Sequence, residues 1–400
     1  MKTLLLTNEY PPNIYGGAGV HVDHLARALA QLIDVDVRCF GEPAAEAGRL
    51  RARGYGVDTQ VFAATAAELR SPLQALERCI RFVADPVDAD VVHCHTWYTH
   101  FGGIAAKILY GIPLVITAHS LEPLRSWKRE QLGRGYDMSS WIERTALEMA
   151  DAVIAVSRQM KHDIVRLFAV DPERVHVIYN GIDTEECRPL ASTDTLAKYG
   201  IDPEAPYVLF VGRITRQKGI IHLVNAVRRL DPSTAVVLCA GAPDTAEIGA
   251  EVAAAVRAVQ VDHPHVVWIP EMLDRRSVIE LYSHAAVFCC PSIYEPFGII
   301  NLEAMACCTP VVGSAVGGIP EVVVDGETGF LVEVGPQGRE LEPLDPERFE
   351  RGLAEAMRRL LDDEALRRRM GAAGRARVVE HFGWPAIARD VVQLYERLRA

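Results

Sequence analysis

Two cations, Arg213 and Lys218, bracket a glycine-flanked turn in Val211-Gly-Arg-Ile-Thr-Arg-Gln-Lys-Gly219, directly after an apolar run that reads as a strand. Such a pair suits a diphosphate, because it can neutralise charge that builds up on a leaving group. Open α/β sheets place ligands at this end of their strands. The plainer reading makes both residues surface cations. Downstream, Pro291-Ser-Ile-Tyr-Glu-Pro-Phe-Gly-Ile-Ile-Asn-Leu-Glu303 repeats the pattern of strand, loop and helix. Glu295 falls in the loop. Glu303 falls inside an apolar helix, where a solvated carboxylate is out of place. A ribose diol would explain it, and so would a cap or a buried ion pair. The helix start at Gly298, Ile299 and Ile300 can offer free N–H groups to phosphate.

A second group of residues lies in the first half of the chain. Glu9-Tyr-Pro-Pro-Asn-Ile-Tyr-Gly-Gly-Ala-Gly19 joins a strand to a helix. Gly16 and Gly17 could let backbone N–H groups approach an anion, or could simply make a tight turn. The spacing is not the dinucleotide fingerprint. His93, His95 and Tyr98 follow one strand, and His119 ends another. Hydrogen bonding to a hydroxylated substrate is the expected use, with core histidines the alternative. No third ligand stands at a spacing that suits a metal, so none is expected. The segment 125–136 is locally basic, with Arg125, Lys128, Arg129 and Arg134. These could hold an anionic group while Trp127 and Tyr136 stack on sugar faces. An ordinary solvated loop is the competing reading.

The elements that must position these residues follow from the apolar runs. At 400 residues the chain exceeds one hydrophobic core, which stops growing at roughly 250–300 residues. Runs at 3–7, 35–40, 91–95, 114–119, 152–157 and 175–179 read as strands, as do 207–212, 235–240, 266–269, 287–291, 311–313 and 330–332. Most lack polar alternation, which means parallel strands covered on both faces. Helical patterns at 20–33, 139–150, 220–230, 247–261, 275–284 and 301–307 alternate with them. This is the signature of doubly wound α/β domains. The pattern restarts at 207, so the sequence predicts domains over 1–183 and 184–380, with a linker near 181–190. The tail after 345 is helical and charge-rich, and its last helix, 386–398 within 381–400, is expected to cross back to the first domain.

Composition narrows the function classes. The chain is 49% hydrophobic and 24% charged, which excludes a largely disordered protein. Its net charge of −11 argues against a nucleic-acid track. The opening Met-Lys-Thr-Leu-Leu-Leu-Thr is too short in apolar residues for a signal peptide and reads as the first strand. No run is long enough for a membrane span. Nine cysteines without a Cys-x-x-Cys read as buried free thiols, and a cytoplasmic location is expected.

Arg213 with Lys218 and Glu295-x7-Glu303 together resemble the retaining GT-B glycosyltransferases of family 4, in the glycogen-synthase-like branch. The likeness runs from Glu9 to the final helix. Tyr15-Gly-Gly-Ala-Gly-Val-His21, His93-Cys-His-Thr-Trp-Tyr98, Thr117-Ala-His-Ser-Leu-Glu-Pro-Leu-Arg125 and Val211–Gly219 point to its actinobacterial type. Starch synthases of family 5 carry a lysine in a Lys-x-Gly-Gly-Leu loop, where Tyr15 precedes Gly16 and Gly17 here. The resemblance implies a GT-B fold, two Rossmann-like domains facing a central cleft, with acceptor bound by the first and donor by the second. It implies that Arg213 and Lys218 hold a nucleotide diphosphate, and that Gly298, Ile299 and Ile300 present the helix end to it. Glu295 would bind the donor glucose and Glu303 the ribose. His119 would lie beside the reaction centre, and Gly16 and Gly17 would close over the phosphates. His95, Tyr98, His119, Arg125, Lys128 and Arg129 would face the acceptor.

The implied reaction is transfer of glucose from ADP-glucose with retention of the α configuration, without cofactor or metal. Front-face attack would let the departing phosphate take the acceptor proton. The acceptor is either glucose 1-phosphate, giving α-maltose 1-phosphate, or the non-reducing end of an α-1,4-glucan with ADP-glucose or UDP-glucose as donor. The basic segment motivates the first. No nucleic acid or membrane partner is expected, and the reading allows a homodimer. Two other classes compete: a sugar-nucleotide epimerase of the same architecture, opposed by the Glu pair, and a non-catalytic nucleotide-sugar or glucan binder, opposed by the intact Arg, Lys, Glu and His set.

Overall fold

The computed structural model describes residues 1–400 except Tyr15, Pro43, Val57, Thr59, Arg339, Glu340 and Ala400 and the side chain of Ala44. Tyr15 of the glycine-loop motif therefore lies outside the described residues. The chain forms two compact units, Met1–Gly181 with Trp384–Ala400, and Ile182–Gly383. The chain thus leaves the first unit slightly earlier than position 183. It re-enters at Trp384, where the final helix begins.

The first unit is built on eight strands: β1 (Lys2–Thr7), β2 (Asp34–Phe40), β3 (Ala44–Ala47), β4 (Leu50–Tyr55), β5 (Val91–His95), β6 (Leu114–Ala118), β7 (Ala152–Ala155) and β8 (Val175–Val177). Their order is β3-β4-β2-β1-β5-β6-β7-β8, all parallel except the β3–β4 pair. Leu4, Leu5 and Leu6 of β1 are wholly buried, as continuous apolar runs in the middle of a covered sheet should be. β3 and β4 depart from the expected strands. Leu-Arg-Ala-Arg-Gly-Tyr alternates apolar and polar residues, which suits a half-covered strand near a sheet edge.

The second unit carries six parallel strands: β9 (Tyr207–Arg213), β10 (Ala235–Gly241), β11 (Val266–Ile269), β12 (Val287–Cys290), β13 (Val311–Ser314) and β14 (Gly329–Val332). Their order is β11-β10-β9-β12-β13-β14. Helices Ile220–Val227 and Pro346–Asp362 bury Leu223, Val224, Leu353 and Met357 against Val208, Phe210 and Val236.

Arg275–His284 matches its expected span, while Gly17–Leu29 starts and ends three to four residues before the expected 20–33 and Ile299–Ala306 begins two residues before the expected 301. Ala67–Ala84, Trp97–Tyr110 and Arg158–Leu167 are additional. The final helix, Trp384–Arg399, starts two residues before the expected Ala386, because Pro385 sits at its first turn, where a missing N–H costs nothing. It packs against Gly17–Leu29 through Trp384, Ile387, Val391 and Leu394.

Each sheet has one reversal of winding. β1 lies between β2 and β5, and β9 lies between β10 and β12. Crevices open at the carboxyl ends of strands at such points. Gly16, Gly17 and His95 follow β1 and end β5. Arg213, Lys218 and Glu295 follow β9 and β12.

Candidate functional site

In the second unit, β9 delivers Arg213 and the turn after it delivers Lys218. Thr215 Oγ1 accepts from the Lys218 amide at 3.3 Å, closing the turn. Lys218 Nζ then lies 2.7 Å from Glu295 Oε2. The Ser292 hydroxyl donates to that same oxygen at 3.2 Å. The Glu295 carbonyl accepts from the Gly318 amide at 3.0 Å. A Cβ on Gly317, which has φ +56°, would lie 1.9 Å from that carbonyl oxygen, so only glycine lets the two loops close. Burial opposes the Lys218 charge, but Glu295 and Cys290 outweigh it and hold the amine above the ordinary lysine range. Arg213 is anchored by an ion pair with Asp244.

Gly298, at φ +99°, starts the helix Ile299–Ala306, and no side chain caps it. Its first-turn amides at Ile299 and Ile300 belong to an anion-favouring helix end. One turn on, Glu303 is buried. Arg275 Nη1 reaches its Oε1 at 2.6 Å, and the Tyr282 hydroxyl donates to its Oε2 at 3.3 Å. Glu303 does form the buried ion pair considered above. Lys218 also feels its charge, so the acidic and basic groups of this unit share one neighbourhood.

In the first unit, Gly16 donates its amide to Glu9 Oε2 at 2.8 Å. A carboxylate thus rests at the start of the helix Gly17–Leu29. β5 projects His93 and His95 to one face, and His119 follows β6 alongside. His95 Nδ1 and His119 Nε2 are 3.0 Å apart. His93 is held by the Tyr395 hydroxyl at 2.6 Å and Thr117 Oγ1 at 2.7 Å. Burial pushes His119 down to about 4 and His93 down to about 3. His95 is also driven far below the usual imidazole range, by burial and then by its histidine neighbours. All three are therefore neutral at pH 7. Thr96, directly after His95, sits at φ +66°, a strained conformation of the kind found at functional sites.

The basic segment is more folded than a solvated loop. Arg125 Nη1 donates to Ser120 Oγ at 3.1 Å and lies 3.7 Å from Glu122 Oε1. Lys128 opens the short helix Lys128–Leu132. Arg129 pairs with Asp137 at 2.5 Å and covers the Tyr136 ring. Arg134 pairs with Glu68. Tyr98 is half-buried and stacks on Trp97 at 4.0 Å. The expectation of Trp127 and Tyr136 as sugar platforms is corrected: both rings are buried, and the Tyr136 hydroxyl donates to the Glu122 carbonyl. Aromatic area of this size gains more from the core than from an open face.

Residues 15–186 match Glycosyltransferase Family 4, and residues 192–377 match Glycosyl transferases group 1. Over the full length of both chains, the protein is 49% identical to the α-maltose-1-phosphate synthase of Mycolicibacterium smegmatis. The chain is a glycosyltransferase of family 4. It is also 30% identical to the glycogen synthase of Mycobacterium tuberculosis, over 99% of this chain and 94% of that one. Among solved structures, the sucrose-phosphate synthase of Thermosynechococcus elongatus superposes with a TM-score of 0.79 at 27% identity, covering 100% and 99% of the two chains. The fold is GT-B. No helix among the described residues of this glycosyltransferase is long and apolar enough to cross a membrane.

Sequence reasoning missed several residues of these clusters. His21 reaches the other histidines from the helix after the glycine loop, with its ring centroid 4.8 Å from His119 and 5.4 Å from His95. Its place one turn into that helix, just after the glycine loop, was the available signal. Glu122 and Glu143 form a buried carboxyl pair beneath the basic segment, where the Glu122 amide donates to Glu143 Oε2 at 2.8 Å. Burial, and then Glu122, push the Glu143 carboxyl far above the carboxylate range. Asp244 and Arg275 gave no signal, because their partners are distant in sequence.

Proposed function

We propose that this enzyme transfers glucose from ADP-glucose to glucose 1-phosphate, with retention, to make α-maltose 1-phosphate for α-glucan synthesis. The observation that carries this reading is full-length identity of 49% to a protein named for that product. The geometry of the second unit supports a nucleotide-sugar donor. In this reading Arg213, Lys218 and the helix end at Gly298, Ile299 and Ile300 meet the charge of the departing diphosphate. Glu295, fixed by Lys218 and Ser292, hydrogen-bonds the glucose. Glu303, shared between Arg275 and Tyr282, bonds the ribose. The charge on the leaving group is met by side chains and backbone, so the scheme calls for no metal or cofactor.

In the first unit, Gly16 and Gly17 offer amides to the donor phosphates as Glu9 gives way. His119 and His95 serve the sugars as neutral hydrogen-bonding groups. Tyr98 packs beside the acceptor, and Arg125, with Lys128 and Arg129, takes the acceptor phosphate. The nine free cysteines fit a reducing compartment, and we place the reaction in the cytoplasm.

Glycogen elongation from ADP-glucose or UDP-glucose is the second reading, favoured by the 30% identity to a glycogen synthase. Incubation with ADP-, UDP- or GDP-glucose and either acceptor, with products weighed by mass spectrometry, separates the two. A disaccharide phosphate from ADP-glucose and glucose 1-phosphate is expected. Extension of glycogen with no product from glucose 1-phosphate would overturn the first reading.

A further inference from the structure

We propose that His21, His95 and His119 form a binding site for one transition-metal ion, Zn2+ being the best-suited, and that the bound ion inhibits the enzyme. The three imidazoles come from three elements: the helix Gly17–Leu29, the end of β5 and the residue after β6. One ligating nitrogen from each lies within 4.8 Å of the other two. Zinc–nitrogen bonds of about 2.0–2.1 Å in a tetrahedron set ligand nitrogens about 3.4 Å apart. The 3.0 Å between His95 Nδ1 and His119 Nε2 is already near that value. The His21 nitrogen, within 4.8 Å of the other two, must draw in by up to about 1.4 Å to complete the set.

The state of the nitrogens points the same way. By strict geometry neither His21 nitrogen nor His95 Nε2 has a hydrogen-bond partner, although Asn180 lies close enough to His21 to act on it as a hydrogen-bonding group. Asn180 is the polar neighbour of His21, and its own Oδ1 is equally unpartnered. A buried imidazole without a firm partner is costly, and an ion bound through one nitrogen of His21, the His95 Nδ1 and the His119 Nε2 would satisfy the His21 ring. A set of three nitrogens without carboxylate selects zinc, copper, nickel or cobalt over magnesium and calcium. Trp384 closes the far side of His21, 5.2 Å between ring centroids, and helps to fix that ring.

The inhibitory half rests on the role given above to His119. A His119 held by metal can no longer serve the sugar, so occupancy and turnover exclude each other. Binding itself does not depend on that role.

The test uses the full chain, freed of metal by chelation. Titration with Co2+ should give a visible spectrum of nitrogen-ligated cobalt that saturates at one ion per chain. Zn2+ should displace it and Mg2+ should not. X-ray absorption of the zinc-loaded wild type should report three imidazoles, which needs no variant to fold. His21→Ala and His95→Ala should each weaken Co2+ binding at least tenfold, while His222→Ala, in the second unit, leaves it unchanged. Absence of a saturable spectrum, or an absorption shell without imidazoles, overturns the site. Zn2+ should abolish transfer from ADP-glucose and a chelator should restore it. Full transfer by the zinc-loaded enzyme overturns the inhibitory half and the role of His119 with it, while the spectrum still stands for the site.

Discussion

Lys218 keeps its charge inside the protein because Glu295 lies 2.7 Å away, and Glu295 is held because Ser292 and the Gly317–Gly318 turn leave it one position. A cation placed this way is preorganised for charge that appears only as the diphosphate leaves, so its loss should fall on turnover. Lys218→Ala should lower kcat and kcat/KM together by about 10²–10³. Initial rates with ADP-glucose check this, alongside circular dichroism to confirm folding, and near-normal turnover would refute the assignment. The acceptor side divides differently. Arg125 is mostly buried, while Arg129 and Asp137 are 59% and 56% exposed, so their pair is weakened by solvent. Arg125→Ala should raise KM for glucose 1-phosphate by about 10–100-fold, the worth of a charged hydrogen bond. Arg129→Ala should raise it by a smaller factor, because Arg129 is an exposed contributor to that phosphate site and already shares its charge with Asp137. A larger effect at Arg129 would move the phosphate site. At this scale the sequence singles out Arg213, Lys218 and Glu295 because each ends or follows an apolar run, and Glu303 because it interrupts an apolar helix. It hid Asp244 and Arg275, whose charges look solvated until the fold brings partners to them. It also misread Trp127 and Tyr136, since a ring beside arginines looks like a platform until its burial is known.

Elements decide how the histidine layer is held. The final helix touches it twice: Trp384 packs on His21 and His24 at its start, and Tyr395 bonds His93 further along. Gly181, where the chain leaves the first unit, lies flat against the Trp384 indole, and a Cβ there would come 2.5 Å from its ring. Gly181→Ala should therefore overpack this contact and destabilise the first unit by about 1–3 kcal/mol. Scanning calorimetry should show a lower melting temperature, and an unchanged one would mean the indole can swing away. The strands were legible wherever both faces are covered, as in β1, β5 and β12. β3 and β4 were not, because a strand toward the edge alternates instead of running apolar, and alternation this short is also found in loops. His-x-His on β5 gave away one face of the layer. His21 stayed hidden, because only the packing of Gly17–Leu29 on its sheet brings a residue from a different element to the same place.

On the scale of the whole molecule, two effects of pH oppose each other. The chain has a net charge of −11 and a pI near 5.7, so acidification toward that value relieves self-repulsion and should stabilise it. The histidine layer argues the reverse. His21, His93, His95 and His100 are buried and His119 is partly buried, and all five are neutral, with His93 and His100 lowered to about 3 and His119 to about 4. Unfolded, each titrates near 6.5. Below that pH the unfolded chain binds protons that the folded chain refuses. Their stabilisation is thus complete above about 6.5 and is lost as pH falls toward 4 and 3. Each contributes a slope of about 1.4 kcal/mol per pH unit in that window. Glu143 runs the other way, since its raised pKa favours the folded state in acid, but it is one group against five. The histidines should win. The melting temperature at pH 5.5 should lie below that at pH 7.5, even though the net charge is closer to zero. His100→Phe, which removes an imidazole that has no hydrogen-bond partner, should make the decline shallower. A melting temperature that rises steadily toward pH 5.7 would mean that net charge, and not the buried imidazoles, governs the acid limit of this fold.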